Sequence, residues 1–351
     1  MGRADDIETM MEEYKGRLKG SMDEFEALAG LGGAYLYLRM FDEAEAMFHR
    51  AAEVSPDEPA GPFGLASCMF NRGHAAEAEN ALGEVVEKHP DYIPALRLLG
   101  AIYSESDRPE EAVSTLEKAV AADPENAENH YLLGNAFDDV DDPDSALSHY
   151  DEAVRIDPEH ARAHNAAGLI HADREDWDAA IAAYRRALSI DPGYSNAHTN
   201  LAAASMNHPD IPVQDAVDAY RYAIKFDEGN SDALVGLGEI YYEDEDYNKA
   251  EELFDRATVV DPDSAQAYFC LGNVYYIKGE FEDAVESYRR ACELDEDLAD
   301  AHYWLALALL KRGENLEAAI HLKLYTEDDP EGELAEDAGR RYEELKRDWP
   351  V

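Results

Sequence analysis

Cysteine and long apolar stretches are scarce in this sequence of 351 residues. Its three cysteines, Cys68, Cys270 and Cys292, lie far apart without a CxxC spacing, which argues against a zinc knuckle or a disulfide framework. The longest apolar stretch, around residues 303–310, is far shorter than the ~20 residues that cross a bilayer. The N-terminal residues also lack the apolar core of a secretory signal. We therefore expect a soluble cytoplasmic protein with no metal, no cofactor and no membrane partner.

Basic residues are scarce too, since 30 Lys and Arg stand against 78 Asp and Glu and leave a formal net charge of −48. Nucleic acid is not an expected partner, because binding it requires a footprint of Lys and Arg. Only ten of the basic residues are lysine. This composition keeps a protein soluble in molar salt and favours a halophilic source. The alternative is an acidic surface that attracts basic partners.

The sequence contains an internal repeat. Prolines recur at a constant interval of thirty-four positions, at Pro56, Pro90, Pro124, Pro158 and Pro192. Counting back from them divides residues 25–332 into nine consecutive units, eight of this length and one that is longer by two positions. A fixed period of this length predicts a fold built by stacking one supersecondary unit.

Aligned positions of the units, called columns below, show what each unit contains. Column 20 is alanine in all nine units, column 8 is Gly or Ala, and column 24 is bulky. The regular spacing of core columns 4, 7, 8 and 11, and then of 20, 24 and 27, is helical. Each unit is therefore predicted to be two antiparallel helices. The proline of column 32 ends the second helix, and we expect a less abrupt end where Glu228 and Glu296 replace it.

The repeat resembles the tetratricopeptide repeat family. The residues that carry the resemblance in the fourth unit are Leu133, Gly134, Phe137, Ala146, Tyr150, Ala153 and Pro158. The resemblance implies an all-α, right-handed superhelical solenoid of antiparallel helix pairs, with the first helix of each pair lining a concave groove. The chain departs from the family in the sixth unit, whose loop is longer by two positions and carries Pro209 and Pro212. A tolerated insertion is favoured there over a functional hinge.

Both ends of the array are predicted to be capped, since a solenoid must cover its last apolar faces. Residues 1–24 form an N-terminal capping helix with an apolar stripe, residues 25–332 the nine repeats, and residues 333–351 a C-terminal capping helix. The N-terminal stripe consists of Ile7, Met10, Met11, Tyr14 and Leu18, and the C-terminal stripe of Leu334, Ala338, Tyr342 and Leu345. No GxSxG, P-loop, GxGxxG or HExxH pattern occurs, so the chain is predicted to be non-enzymatic.

Two groups of residues suggest metal binding at first sight. Four histidines occupy column 4, namely His130, His164, His198 and His302. Equivalent columns of neighbouring repeats lie about 10 Å apart, too far for shared ligation, so packed or partly solvated histidines are expected. The aspartate-rich segment of residues 138–144 lacks the Gly and the Glu that an EF-hand loop requires, so a solvated loop is favoured there.

Columns 2, 5, 9, 12 and 13 lie beside the core columns of the first helix, on the face that lines the groove in the family. An apolar first end contains Leu36, Tyr37, Phe63 and Phe70, and an acidic middle contains Glu105, Asp138, Asp139 and Asp173. A second end contains Tyr242, Phe269, Tyr276 and Tyr303, flanked by Glu239, Glu243 and Asn273. We expect the aromatic residues to be exposed anchors; packing against the neighbouring repeat is the alternative.

The charge of this face indicates what it binds. Its basic residues, Arg97 and Lys311, are far apart, so the carboxylate clamp of the family's chaperone-binding members is not supported. A basic or neutral, partly apolar segment fits better, held through its backbone by Asn135 and Asn273. The sequence thus predicts a non-catalytic scaffold for a protein or peptide partner. A self-assembling homo-oligomer and a targeting subunit of a separately encoded enzyme are the alternatives.

Overall fold

The computed structural model describes residues 2–19, 24–330, 332 and 334–348, and these form twenty α-helices without a β-strand. The all-α prediction is confirmed. The chain divides into two compact units, Met1–Ile170 and His171–Val351. Helices α2 to α19 fall two to each unit of the sequence repeat.

The first compact unit contains nine complete helices and most of a tenth. They are α1 Gly2–Lys19, α2 Glu24–Tyr37, α3 Phe41–Val54, α4 Ala60–Asn71, α5 Ala75–Lys88, α6 Ile93–Glu105, α7 Pro109–Ala122, α8 Ala127–Asp139, α9 Pro143–Ile156 and α10 Ala161–Asp173, of which the last three residues belong to the second unit.

The second compact unit continues the same alternation of first and second helices. Its helices are α11 Trp177–Ile190, α12 Ser195–Asn207, α13 Val213–Phe226, α14 Ser231–Glu243, α15 Tyr247–Val260, α16 Ala265–Lys278, α17 Phe281–Leu294, α18 Ala299–Arg312, α19 Asn315–Asp328 and α20 Ala335–Asp348.

The small residues of column 8 let the two helices of a repeat approach closely. A Cβ atom added to Gly134 would lie 2.6 Å from the ring of Tyr150, and one added to Gly272 would lie 2.6 Å from the ring of Tyr288. Both tyrosines occupy column 24 and are fully buried. The ring of the second helix therefore fills the space that the missing side chain of the first helix leaves open.

The turn between the helices of a repeat needs one residue in the left-handed conformation. Column 15 has a positive φ in eight units, with values from 56° to 84°. In three of these repeats the residue with positive φ is a glycine, namely Gly73, Gly279 or Gly313. In the other five, an arginine or an acidic residue adopts the left-handed conformation. In the sixth unit this column holds Pro209, whose ring keeps φ negative, and the longer loop replaces the turn.

The second helices end at the same column whether or not proline follows. Helices α13 and α17 end at Phe226 and Leu294, in register with the others, although glutamate replaces the proline after them. Asp227 Oδ1 accepts a hydrogen bond at 3.0 Å from the backbone N–H of Gly229, and Asp295 makes the same turn. The expected softer end is thus wrong, because the aspartate before the proline position closes the helix by itself.

Helices pack on both ends of the repeats. In α1, Met11 is buried against Leu31 and Ala34, but Met10 of the predicted stripe is 40% exposed. In α20, Ala338 is fully buried, and the other three residues of the predicted stripe pack around the same core. The domain boundaries themselves stay predictions. Within the described residues, no helix combines the length and the apolar character needed to cross a membrane.

Candidate partner-binding groove

First helices of successive repeats contact one another inside each compact unit, as α4 does with α6 and α14 with α16. Such contacts join α2, α4, α6 and α8 in the first compact unit, and α12, α14, α16 and α18 in the second. We call the surface made by their columns 2, 5, 9, 12 and 13 the groove face. All thirteen candidate site residues lie on it.

In the apolar first end of the groove face, Leu36, Phe63 and Phe70 are half-buried, whereas Tyr37 is 62% exposed. The ring of Phe63 lies 5.6 Å from that of Tyr92, nearly perpendicular to it, and Phe70 packs in the same cluster. Tyr92 immediately precedes the first helix of the next repeat. Both phenylalanines therefore contribute to the contact between repeats while part of each ring remains open.

Arg97 is held by the repeat that follows it. Its Nε donates to Asn129 Oδ1 at 2.7 Å, and its Nη2 donates to Asn126 Oδ1 at 2.6 Å. Asn126 caps α8, because its side chain also accepts from the backbone N–H of Asn129. The guanidinium group thus joins α6 to the start of α8, and two of its five N–H donors are already in use.

Two asparagines of the groove face are oriented by buried tyrosines. The hydroxyl of Tyr150 donates to Asn135 Oδ1 at 2.9 Å, and that of Tyr288 donates to Asn273 Oδ1 at 2.7 Å. Burial raises the pKa of both phenols, so they remain protonated and able to donate. With Oδ1 occupied, each amide retains its NH₂ group, which can donate to a carbonyl oxygen.

The predicted acidic residues are exposed. Asp138 and Asp139 form the end of α8, and Asp173 the end of α10. Asp142, in the turn after α8, caps α9 by accepting from the backbone N–H of Ser145 at 3.1 Å. Across the described part of the chain, no group of three His, Cys, Asp or Glu side chains could hold a metal ion.

Three of the four aromatic residues predicted at the second end of the groove face are half-buried. The ring centroid of Tyr242 lies 5.6 Å from that of Tyr247, and the ring centroid of Phe269 lies 5.9 Å from that of Tyr288. Tyr276 makes perpendicular contacts at 5.5 Å with Phe281 and with Trp304 of the next repeat. Each ring thus supports the packing of the repeats and has one part facing outward.

The fourth aromatic residue, Tyr303, is buried, so the expectation that it is an exposed anchor is wrong. Its side chain is only 5% exposed, and its hydroxyl donates to Asp337 Oδ2 of α20 at 2.8 Å. Burial raises the pKa of Tyr303 to about 12. Desolvation opposes the charge of Asp337, but hydrogen bonds from Arg341, Tyr303 and Arg340 lower its pKa to about 2. Helix α20 covers Tyr303, so this residue of the groove face is not open to a partner.

A cleft opens between α14 and α16. Its rim carries Glu239 and Glu243, its walls are Tyr242 and Phe269, and Asn273 lies beside them; Phe254 and Cys270 are buried at its base. Gln266 also lines it and was missed by sequence reasoning, although column 2 belongs to the groove face. Cys270, in column 6, carried no such signal.

Two histidines of column 4 pair with histidines of the second helix. His130 Nδ1 lies 3.0 Å from His149 Nδ1, and His302 Nδ1 lies 2.9 Å from His321 Nδ1. His130 Nε2 also contacts the carbonyl oxygen of Pro124 at 3.0 Å, which leaves its Nδ1 to accept the proton of His149. Sequence reasoning missed these pairs, although a second histidine in column 23 of the same unit was the available signal.

Family models for this type of repeat match most of the chain. One, described as TPR repeat, matches residues 238–279 and 272–313. Three described as tetratricopeptide repeat match residues 131–195 and 213–258, residues 35–102, and residues 95–128. These matches include every candidate site residue and both sides of the cleft between α14 and α16.

Among solved structures, the chain is similar to a chain of the APC/C hetero-tetramer Cut9–Hcn1. The two share 17% identity at a TM-score of 0.62 over 95% of this chain and 67% of that chain. This likeness shows the fold alone. MamA is 26% identical over 47% of this chain and 95% of its own, with a TM-score of 0.42. Human protein O-mannosyl-transferase TMTC1 is 28% identical over 99 residues, which span 28% of this chain and only 11% of that protein.

Proposed function

Since the chain belongs to the tetratricopeptide repeat family, we propose that it is a non-catalytic scaffold that binds a segment of a partner protein along its groove face. The segment is basic or neutral and partly apolar, and it lies in an extended conformation. The family fold is typical of protein interaction, and the described residues contain no group of three side chains that could hold a metal ion.

The observation that carries this proposal is the pair of oriented asparagines. Asn135 and Asn273 occupy the same column of two repeats, and each is fixed by a tyrosine hydroxyl beneath it. An amide that is already held in place loses little entropy when it donates to a backbone carbonyl of a bound peptide. Such contacts recognise extended backbone without reading its side chains.

The character of the bound segment follows from the surroundings of these amides. Asp138 and Asp139 are exposed one turn beyond Asn135, and Glu239 is exposed near Asn273. The half-buried ring of Phe269 offers apolar area at the same place. Because the face carries negative charge beside aromatic rings, positive and apolar side chains complement it.

Fluorescence polarisation with labelled degenerate nonapeptide pools tests the proposal. The pools have net charges of about +3, 0 and −3 and equal apolar content, and they are measured in constant salt. We expect the basic pool to bind most tightly and Asn273→Ala to weaken it about five- to tenfold, the value of one hydrogen bond to a peptide. Asn80→Ala, on the second helix α5, is the matched control and should bind as wild type. Tighter binding of the acidic pool, or equal binding by Asn273→Ala, would refute the assignment.

A further inference from the structure

The rim of the cleft between α14 and α16 holds two carboxylates without basic partners. Glu239 and Glu243 are one helical turn apart on α14, so their side chains extend from the same face of the helix. Both are exposed, and within the described residues neither pairs with a Lys or Arg. Other acids of the unit do pair, as Glu251 does with Lys278 at 2.6 Å. The uncompensated charge at the cleft is thus available to a cation from outside the chain.

One of these carboxylates is held in place from below. Glu239 Oε1 accepts from Gln266 Nε2 at 3.1 Å and from Cys270 Sγ at 3.5 Å. Burial, and then the charge of Glu239, raise the pKa of the Cys270 thiol, so the sulfur keeps its proton and can donate. Both donors bind the same oxygen, which leaves Oε2 to a ligand in the cleft.

The walls of the cleft are aromatic. Tyr242 and Phe269 are half-buried, and the fully buried ring of Phe254 closes the base. Aromatic walls accept the methylene stem of a long side chain and attract a cation to the face of the ring. The cleft therefore combines an apolar passage with a doubly negative rim.

We propose that this cleft binds an arginine side chain of the partner segment, an inference that rests on the proposed function. Arginine fits the rim better than lysine does, because its planar guanidinium has five N–H donors and can contact both carboxylates at once. Lysine brings a single point charge. The NH₂ group of Asn273, beside the cleft, donates to the backbone of the residue that carries the arginine.

The test uses three labelled nonapeptide pools that differ only at the central residue, which is arginine, lysine or citrulline. Citrulline has nearly the shape of arginine but no charge. We expect wild type to bind the arginine pool about tenfold more tightly than the citrulline pool, with the lysine pool between them. The variant Glu239→Gln/Glu243→Gln should bind all three pools about equally.

A matched variant, Glu252→Gln/Glu296→Gln, removes the same charge from two exposed residues of this unit outside the cleft. It should keep the preference for arginine. If the double glutamine variant of the cleft keeps that preference as well, the arginine site is refuted while the scaffold proposal stands. If no pool binds wild type, the scaffold proposal itself is refuted, and the arginine site that rests on it is refuted with it. Circular dichroism of each variant establishes that it folds as wild type does.

Discussion

The contact between buried His302 and half-buried His321 predicts how the last repeat responds to acid. The two Nδ1 atoms are 2.9 Å apart, the rings are stacked at 5.1 Å, and His302 is only 8% exposed. A hydrogen bond between two ring nitrogens needs one N–H and one lone pair, so two protonated rings cannot form it. Burial and then the proximity of His302 lower the pKa of His321 to about 4; Glu317 opposes this shift and Arg289 adds to it.

The size of the effect follows from proton linkage. Unfolding restores the ordinary pKa of 6.5, so between pH 6.5 and about 4 the unfolded chain holds a proton that the folded chain does not. The contribution to stability is complete above pH 6.5 and is lost as the pH falls toward 4. At about 1.36 kcal/mol for each pH unit between the two values, the free energy of unfolding falls by about 3 kcal/mol.

Urea denaturation of wild type and of His321→Asn, followed by circular dichroism near pH 7 and near pH 4.5 in constant salt, measures this loss. The amide of asparagine can donate or accept a hydrogen bond in place of Nδ1 but does not titrate. Carboxylates titrate in both proteins, so the difference between them isolates the histidine. Wild type should lose about 2.5 kcal/mol more than the variant, because pH 4.5 lies above the lower of the two pKa values. His74→Asn, at a side chain 59% exposed, should behave as wild type. Parallel losses in wild type and His321→Asn, or an NMR titration of His321 near pH 6.5, would refute the reasoning.

Other measurements test the packing and the charge. Gly272→Ala should lower the free energy of unfolding by about 1–3 kcal/mol, because the added Cβ would meet the ring of Tyr288. Gly83→Ala, in open space on α5, should raise the free energy of unfolding by about 0.5–1 kcal/mol. Urea denaturation measures both changes. Burial raises the pKa of Cys68 to about 11 and that of Cys292 to about 12, so iodoacetamide near pH 8 should label them only after unfolding, which mass spectrometry detects. The net charge of −48 predicts that the thermal midpoint rises from low to molar KCl, and an unchanged midpoint would exclude the halophilic interpretation.

Periodicity was sufficient to predict the helix pairs because packing acts on the same columns in every repeat. Gly134 and Tyr150 show why, since the space left by one residue is filled by the other. The turn of column 15 could not be predicted in this way. Arg39 and Glu245 adopt there the left-handed conformation that favours glycine, at a cost of about 1–2 kcal/mol, because the packed helices leave one short path between them.

Exposure on the groove face could not be predicted from its columns. Phe269 and Tyr303 share column 5, yet Phe269 faces outward in part and Tyr303 is buried. The difference lies in the element that follows each of them. Another repeat follows Phe269, whereas α20 follows Tyr303 and places Asp337 against its hydroxyl. Because the capping helix has no column of its own, the repeat alignment could not assign this contact.

Contacts between helices require two columns to be considered together. His130 and His302 each meet a histidine in column 23, whereas His198 has Ala219 in that column. The ring of His198 instead stacks on Tyr222 at 5.5 Å and on Phe226 at 5.7 Å, farther along the same second helix. One residue type in one column thus forms two different contacts. The partner column decides whether a repeat acquires a histidine pair, in which burial and then the charge of the first imidazole lower the pKa of the second, His149 or His321.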